Sequence, residues 1–298
     1  MKYVFEIPPA SYEFAPLWHR LIREWKETNR RDDVELFQFP ADADYKYIYP
    51  NIITEYEYYA DEFKYFVGRM RDGDVLFFED IQNPYIFIAD YIRRLNGMKI
   101  EIRALFIDMS RTMISRFERV NMKYIENGAM HVADKIYFPD VHFRGTVKHY
   151  YLFPYSKTVI SGIPIDGKDI VDGRTYPKKY NFLLFDNKHG LMKKYMDKLG
   201  FSYTTAPMSE IPKAKVVLYA EYTSYPYPLI KALASNVPPV TVDFGIYRDI
   251  LPSVNRGRTF WDMLLKVNYL IHNPDTTADY RPLLDYFNYK NVFNVWLD

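Results

Sequence analysis

The sequence predicts an α/β protein of two domains, each built on a mostly parallel sheet covered by helices. Three observations predict it. Through the first half, apolar runs of strand length alternate with stretches whose apolar residues recur at helical spacing. Between Val216 and Val242 a strand, a turn, a helix and a second strand follow in the order that a right-handed parallel crossover requires. The chain has 298 residues, 48% hydrophobic and 26% charged, enough for two cores of ordinary size.

Taken in order, Lys2 to Glu6 alternates as a strand, and Ala15 to Lys26 carries Leu17, Trp18, Leu21, Ile22 and Trp25 on one helical face. Val34 to Phe39 reads as a second strand. The tyrosine-dense stretch Tyr45 to Tyr59, interrupted by Pro50, reads as a loop that leads to a helix around Glu55 to Met70. Asp74 to Asp80 is a buried strand whose end carries two carboxylates, Glu79 and Asp80. Gln82-Asn83-Pro84 turns the chain into a helix over Tyr85 to Leu95, closed by Asn96-Gly97. Lys99 to Ile107 is the next strand and ends at Asp108. A helix in two pieces runs from Ser110 to Met130, and Asp134 to Phe138 is a short strand.

Around His149 to Pro154 this alternation pauses, which divides the chain into domains at 1–152 and 153–298. Tyr180 to Phe185 is then a strand, Gly190 to Leu199 a basic helix and Phe201 to Thr204 a short strand. In the crossover itself, Val216 to Ala220 is the buried strand, Glu221 to Ser224 the polar turn, about Pro228 to Ser235 the helix, and Val240 to Val242 the second strand. Prolines at the helix start cost no hydrogen bond. Asn236 sits where a left-handed residue ends a helix, and Pro238-Pro239 holds the chain extended afterwards. Phe260 to His272 is helical, and Arg281 to Trp296 is helical in part.

Composition removes several classes. There is no cysteine, hence no disulfide, thiolate nucleophile or zinc-thiolate site, which fits a cytoplasmic protein. No apolar run approaches the ~20 residues of a bilayer span, and the N-terminus has acidic and proline residues where a signal peptide would be apolar. The net charge of +1 hides a division: residues 1–150 sum to −3 and residues 151–298 to +4. A mildly basic second half suits a diphosphate ligand, but it is no nucleic-acid footprint. Twenty-nine tyrosines and 21 phenylalanines read as compositional drift or as a stacking surface. The six histidines show no metal-ligand spacing; His19 and His131 read as structural. No GxGxxG, Walker or GxSxG sequence occurs.

Two clusters could carry chemistry in the second half. Lys188 follows a strand directly, and Lys193 and Lys194 lie a turn into the next helix, so the three converge on a helix N-terminus and would neutralise a diphosphate. A solvated lysine face is the alternative. Thr223, Ser224 and Tyr225 precede the second helix, where unpaired amides can bind a phosphate; Ser224 could instead only cap that helix.

Leu229 to Val240, followed by Asp243-Phe244-Gly245, resembles the nucleotide-sugar segment of the GT-B glycosyltransferases, and Thr158 to Asp166 resembles the strand and turn that open their second domain. The likeness spans most of the chain in order and is specific over residues 180–245. It departs at one place: the usual Glu before Ala is Lys231, and the upstream Glu is displaced to Glu221. The resemblance implies two Rossmann-like domains with mostly parallel sheets facing an interdomain cleft, and a C-terminal helix that crosses back onto the first domain. It implies transfer of a sugar, a hexose by preference, from a nucleoside-diphosphate sugar to an acceptor hydroxyl, with a UDP-sugar as first choice, no tightly bound cofactor and no metal. The donor would lie on Lys188, Lys193, Lys194, Glu221, Thr223, Ser224, Tyr225 and Lys231. Asp80 would serve as the base that deprotonates the acceptor in an inverting enzyme, or orient it in a retaining one; a turn cap is the alternative, and Asp108 is a weaker candidate of the same kind.

Phe77 to Pro84 with Asn96 to Ile100 is more loosely similar to phage-type glycosyltransferases that modify hydroxymethylated pyrimidines in DNA. That adds a viral enzyme acting on modified DNA to the saccharide and protein acceptors, although near-neutral charge offers little grip on a phosphate backbone. A third reading is a non-catalytic nucleotide- or sugar-binding protein, which Lys231 in place of Glu favours.

Overall fold

Strand residues in the first half alternate between two differently filled faces, and this alternation sets the first sheet. Leu76, Phe78, Ile102, Ala104, Ile136 and Phe138 join one core cluster, whereas Phe77, Arg103 and Tyr137, the residues between them, are buried on the other side. Being buried on both faces is what a parallel sheet requires. The computed structural model describes residues 1–5, 15–37, 63–83, 85–107, 116–186, 191–220, 226–273, 279–287 and 289–298. They form two units, Met1–Pro164 with Asn291–Asp298, and Ile165–Lys290.

In the first unit, strands β1 (Lys2–Phe5), β2 (Val34–Phe37), β3 (Val75–Phe78), β4 (Glu101–Leu105), β5 (Lys135–Phe138) and β6 (Thr158–Ile160) pair in the order β2-β1-β3-β4-β5-β6. Every pairing is parallel. The helices are α1 (Ala15–Thr28), α2 (residues 63–68), α3 (Tyr85–Leu95), α4 (Arg116–Val132) and α5 (Val141–Tyr150). The strand Thr158–Ile160, expected to open the second domain, is instead the edge of this first sheet, with Ile136, Tyr137 and Phe138 opposite Thr158, Val159 and Ile160.

The last helix, α10 (Val292–Leu297), completes the second face of that sheet. Trp296 is fully buried, stacks on Phe77 at 5.1 Å and meets Trp18 of α1 edge-on at 5.7 Å. Arg103, buried beneath it, bonds the Trp296 carbonyl at 2.9 Å and Glu101 at 3.0 Å. A buried guanidinium is tolerated because both its charge and its donors are answered.

In the second unit, β7 (Tyr180–Phe185), β8 (Ala214–Tyr219), β9 (Pro239–Val242) and β10 (Arg256–Gly257) form a parallel sheet in the order β10-β9-β8-β7. Leu184, Val216, Leu218 and Val240 face α6 (Leu191–Leu199) and α9 (Phe260–His272). Leu183 and Val217 face the other way, toward Ala232 of α7 (Tyr227–Ala234). The short helix α8 (Tyr247–Ile250) follows β9. Residues 201–204, expected to form a strand, do not: the Leu184 amide bonds the Thr204 carbonyl at 2.9 Å, but the Phe201 amide returns to the Met196 carbonyl and the Tyr203 hydroxyl to Asp197, both of α6, so no ladder forms.

The end of α7 follows the Schellman pattern. Asn236 adopts φ 53°, the Val237 amide returns to the Ala232 carbonyl at 2.8 Å, and the Asn236 amide to that of Leu233 at 3.0 Å. Gly173 then docks on the helix end, its amide 2.6 Å from the Ser235 carbonyl. A Cβ there would lie 2.5 Å from that oxygen, so only glycine permits the approach.

Candidate active site

Parallel α/β sheets present ligands at the carboxyl ends of their strands, so each unit offers one edge to consider. In the second unit β7 runs into Asp186, whose Oδ2 accepts the Lys193 amide at 2.7 Å. That amide is one of the four that a helix leaves unbonded at its start, so Asp186 caps α6. Lys193 and Lys194 are exposed in the first turn of this helix, and neither ammonium has a carboxylate partner among the described residues. Lys188, expected beside them, lies outside the described residues. So do Glu221, Thr223, Ser224 and Tyr225.

Lys231 is described, and it is answered by a carboxylate that sequence reasoning missed. Its Nζ lies 2.8 Å from Oδ1 of Asp169, while the Tyr227 hydroxyl donates to Oδ2 at 2.8 Å. Both charged side chains are only 15% exposed. Tyr227 and Lys231 are one helical turn apart and share a face of α7, which is why both reach one carboxylate. Asp169 ends a short 3-10 turn, Gly167–Asp169, capped by Asp166 through the Lys168 amide at 2.9 Å. The partners are 62 residues apart, a separation that no local pattern signals.

In the first unit Asp80 is 5% exposed, and its Oδ1 accepts the Gln82 amide at 2.9 Å. The carboxylate thus closes the turn after β3. Gln82 continues inward to Glu126, at 2.7 Å, and the Tyr151 hydroxyl bonds the same buried carboxylate. Glu79 is wholly buried beside His19, with Oε1 3.9 Å from Nδ1. His131 is exposed. At the end of β5, Asp140 caps α5 through the His142 and Phe143 amides at 2.8 and 2.9 Å. Burial raises its carboxyl above the usual range against those two bonds. Asp108 lies outside the described residues.

Among the described residues no three His, Asp or Glu side chains gather as metal ligands, and no helix is long and apolar enough to cross a membrane.

No protein-family model matches the chain, and no curated protein matches it significantly. Solved structures do. The apo form of the lipopolysaccharide outer core galactosyltransferase WaaB aligns over 100% of both chains with a TM-score of 0.65 at 13% identity. The fold is GT-B. An E. coli trehalose-6-phosphate synthase bound to UDP-2-fluoro glucose aligns over 99% of this chain and 97% of its own, with a TM-score of 0.54 at 11% identity. A UDP-forming trehalose-phosphate synthase from Burkholderia xenovorans, in complex with glucose-6-phosphate, gives 0.53 at 12% identity over the same shares. At such identities the likeness is one of fold.

On this GT-B fold, Lys231 occupies the helix position where the resemblance expects a carboxylate, and Asp169 brings a carboxylate to that lysine from another segment. The pair keeps an acidic group beside α7 while reversing the charge of the helix residue itself.

Proposed function

We propose that the chain is a glycosyltransferase that moves a hexose from a nucleoside-diphosphate sugar, with UDP-sugars the first donors to test, to a carbohydrate hydroxyl. The single observation that carries the reading is the pair Lys193 and Lys194, exposed in the first turn of α6 and without carboxylate partners among the described residues, on a chain with the GT-B fold. Two cations at a helix N-terminus suit a diphosphate, whose charge grows as the bond to the sugar breaks.

In the reaction the bond from the sugar C1 to the diphosphate oxygen breaks, and the electron pair leaves with the nucleotide. The acceptor oxygen forms the new bond to C1 and loses its proton to a base or to the departing phosphate. Lys188, Lys193 and Lys194 hold the diphosphate in this reading, together with Thr223, Ser224 and Tyr225 before α7. Asp169, held by Lys231 and Tyr227, takes the place of the helix carboxylate toward the donor's hydroxyls, with Glu221 nearby in sequence. Asp80 acts on the acceptor side. The reading places the protein in the cytoplasm, in keeping with a chain that has no cysteine.

Slow hydrolysis of a panel of UDP-, GDP- and ADP-sugars by the purified chain tests the reading. Release of one nucleoside diphosphate above the rate of a Lys193→Ala/Lys194→Ala variant is expected. A non-catalytic sugar-nucleotide binder would instead be stabilised against heat by a donor it never turns over. Glycosylation of hydroxymethylated DNA, but of no saccharide, would move the acceptor to the viral DNA-modifying alternative.

A further inference from the structure

A polar cleft lies at the carboxyl ends of β9 and β10, and the donor reading gives none of its lining residues a role, although Asp243 belongs to the segment that resembles the nucleotide-sugar segment. It has a volume of about 320 Å³ and is lined by Asp243, Arg248, Arg256, Arg258, Asp262 and Lys266, along with Ser253. Four cations face two carboxylates, so two positive charges stay uncompensated within it.

Local structure explains why the cations gather. Arg256 and Arg258 flank Gly257, so both project from the same side of the strand end. Gly257 itself packs against the first turn of α9: a Cβ there would lie 2.4 Å from Met263 Cγ and 2.7 Å from its amide nitrogen. That close approach fixes where the two arginines emerge. Thr259 caps α9 through the Asp262 amide at 3.2 Å, and Asp262 in turn accepts the Arg258 amide at 3.0 Å.

Asp243, in the turn after β9, is the hub. It accepts Arg256 Nη1 at 2.8 Å and Arg258 Nε at 3.0 Å, with Arg248 Nε at 3.3 Å from its Oδ1 and 3.0 Å from its carbonyl. These bonds, that from Arg258 foremost, hold its carboxyl below the usual range. One carboxylate cannot absorb three guanidinium groups. Each guanidinium carries five donors, and a carboxylate offers about four acceptor sites. The surplus is visible: Arg256 Nε is buried without a partner among the described residues, while the side chains of Arg248 and Arg258 are 54% and 80% exposed. Lys266 reaches the Ser253 carbonyl at 2.6 Å, so it too stands at the cleft wall.

Unspent guanidinium donors from several arginines around one small cavity match a tetrahedral dianion better than a planar carboxylate, because a phosphate monoester carries more charge and offers three terminal oxygens that accept from more directions. We propose that this cleft binds the phosphate group of a small phosphate monoester, separately from the sugar-nucleotide donor. Asp243 holds the arginines in place when the cleft is empty, and the exposed Arg248 and Arg258 turn onto the phosphate when it arrives.

Titration of inorganic phosphate into the full chain at fixed ionic strength, with chloride as the control, tests the proposal. UDP is titrated in parallel. Arg248→Gln/Arg258→Gln is the variant, chosen because both side chains are largely in solvent and the fold does not rest on them. Saturable phosphate binding that weakens at least about tenfold in the variant, with UDP affinity unchanged, is the expected result. Absence of saturable phosphate binding, or equal binding by the variant, overturns the site. A parallel loss of UDP affinity overturns its separateness and assigns the cleft to the donor.

Discussion

The ammonium of Lys231 lies 2.8 Å from Oδ1 of Asp169, and the other oxygen of that carboxylate takes the Tyr227 hydroxyl. Both charges are mostly withdrawn from water, so each depends on the other for its compensation. Lys231→Ala leaves Asp169 with Tyr227 alone, and we expect a loss of about 1–3 kcal/mol in chemical denaturation. Lys231→Glu, which restores the residue typical of GT-B sequences, sets two carboxylates together and costs more than the alanine. The swap Asp169→Lys/Lys231→Glu recovers part of the loss. If the three variants were equally stable, the pair would have no structural weight.

Trp296 fills the space against Phe77 and Trp18 and is fully buried. Trp296→Ala opens a cavity of indole size and strips the cover from Arg103, whose donor bonds the Trp296 carbonyl. The expected loss is about 3–5 kcal/mol, measured by urea unfolding of the first unit's transition. A change under about 1 kcal/mol would show that α10 does not close that face.

Asn236 carries two duties with opposite preferences. Its φ of 53° would be easier for glycine, but its Oδ1 accepts the Tyr280 amide at 2.9 Å in a buried setting. An orphaned buried amide costs about 1–3 kcal/mol, and because asparagine already tolerates the left-handed region, glycine recovers less than that. Asn236→Gly should therefore lower the melting temperature, and Asn236→Ala should lower it further. A glycine variant more stable than wild type would show that backbone strain outweighs the hydrogen bond.

Asp33 is drawn down to about 2, chiefly by its hydrogen bonds from Arg31, whose guanidinium also reaches Asp298, and with help from Lys2. A carboxyl with a folded pKa below its unfolded one adds stability above about pH 4, and that stability fades as pH falls toward 2. The side chain is 45% exposed, so the effect is small and salt-sensitive. In acid titrations followed by circular dichroism, Asp33→Asn should flatten the stability profile between about pH 4 and 2. An unchanged slope would sever Asp33 from acid unfolding.

Much of the architecture was legible in the sequence because it rests on local periodicity. The strand Val75–Phe78, the helix Tyr85–Leu95 and the left-handed Asn236 ahead of two prolines all announce themselves within a few residues. Thr158–Ile160 does not: three half-buried residues carry too little alternation to say which sheet they join. The helix after β7 was legible from its spacing, and Lys193 and Lys194 stand exposed in its first turn. Asp169 with Lys231, and Asp243 with its arginines, depend on chain segments brought together only by the fold. Asp80 read as a strand-end carboxylate, which it is, but its bond to the Gln82 amide could not be read from residue types.

Isothermal titration of UDP into the full chain and into Lys193→Ala/Lys194→Ala asks most directly whether the second unit holds a nucleotide diphosphate. The account predicts saturable binding by the wild type and a loss of at least about tenfold in the double variant. Absence of saturable heat with UDP, GDP and ADP alike, or equal affinity in the two proteins, would contradict it.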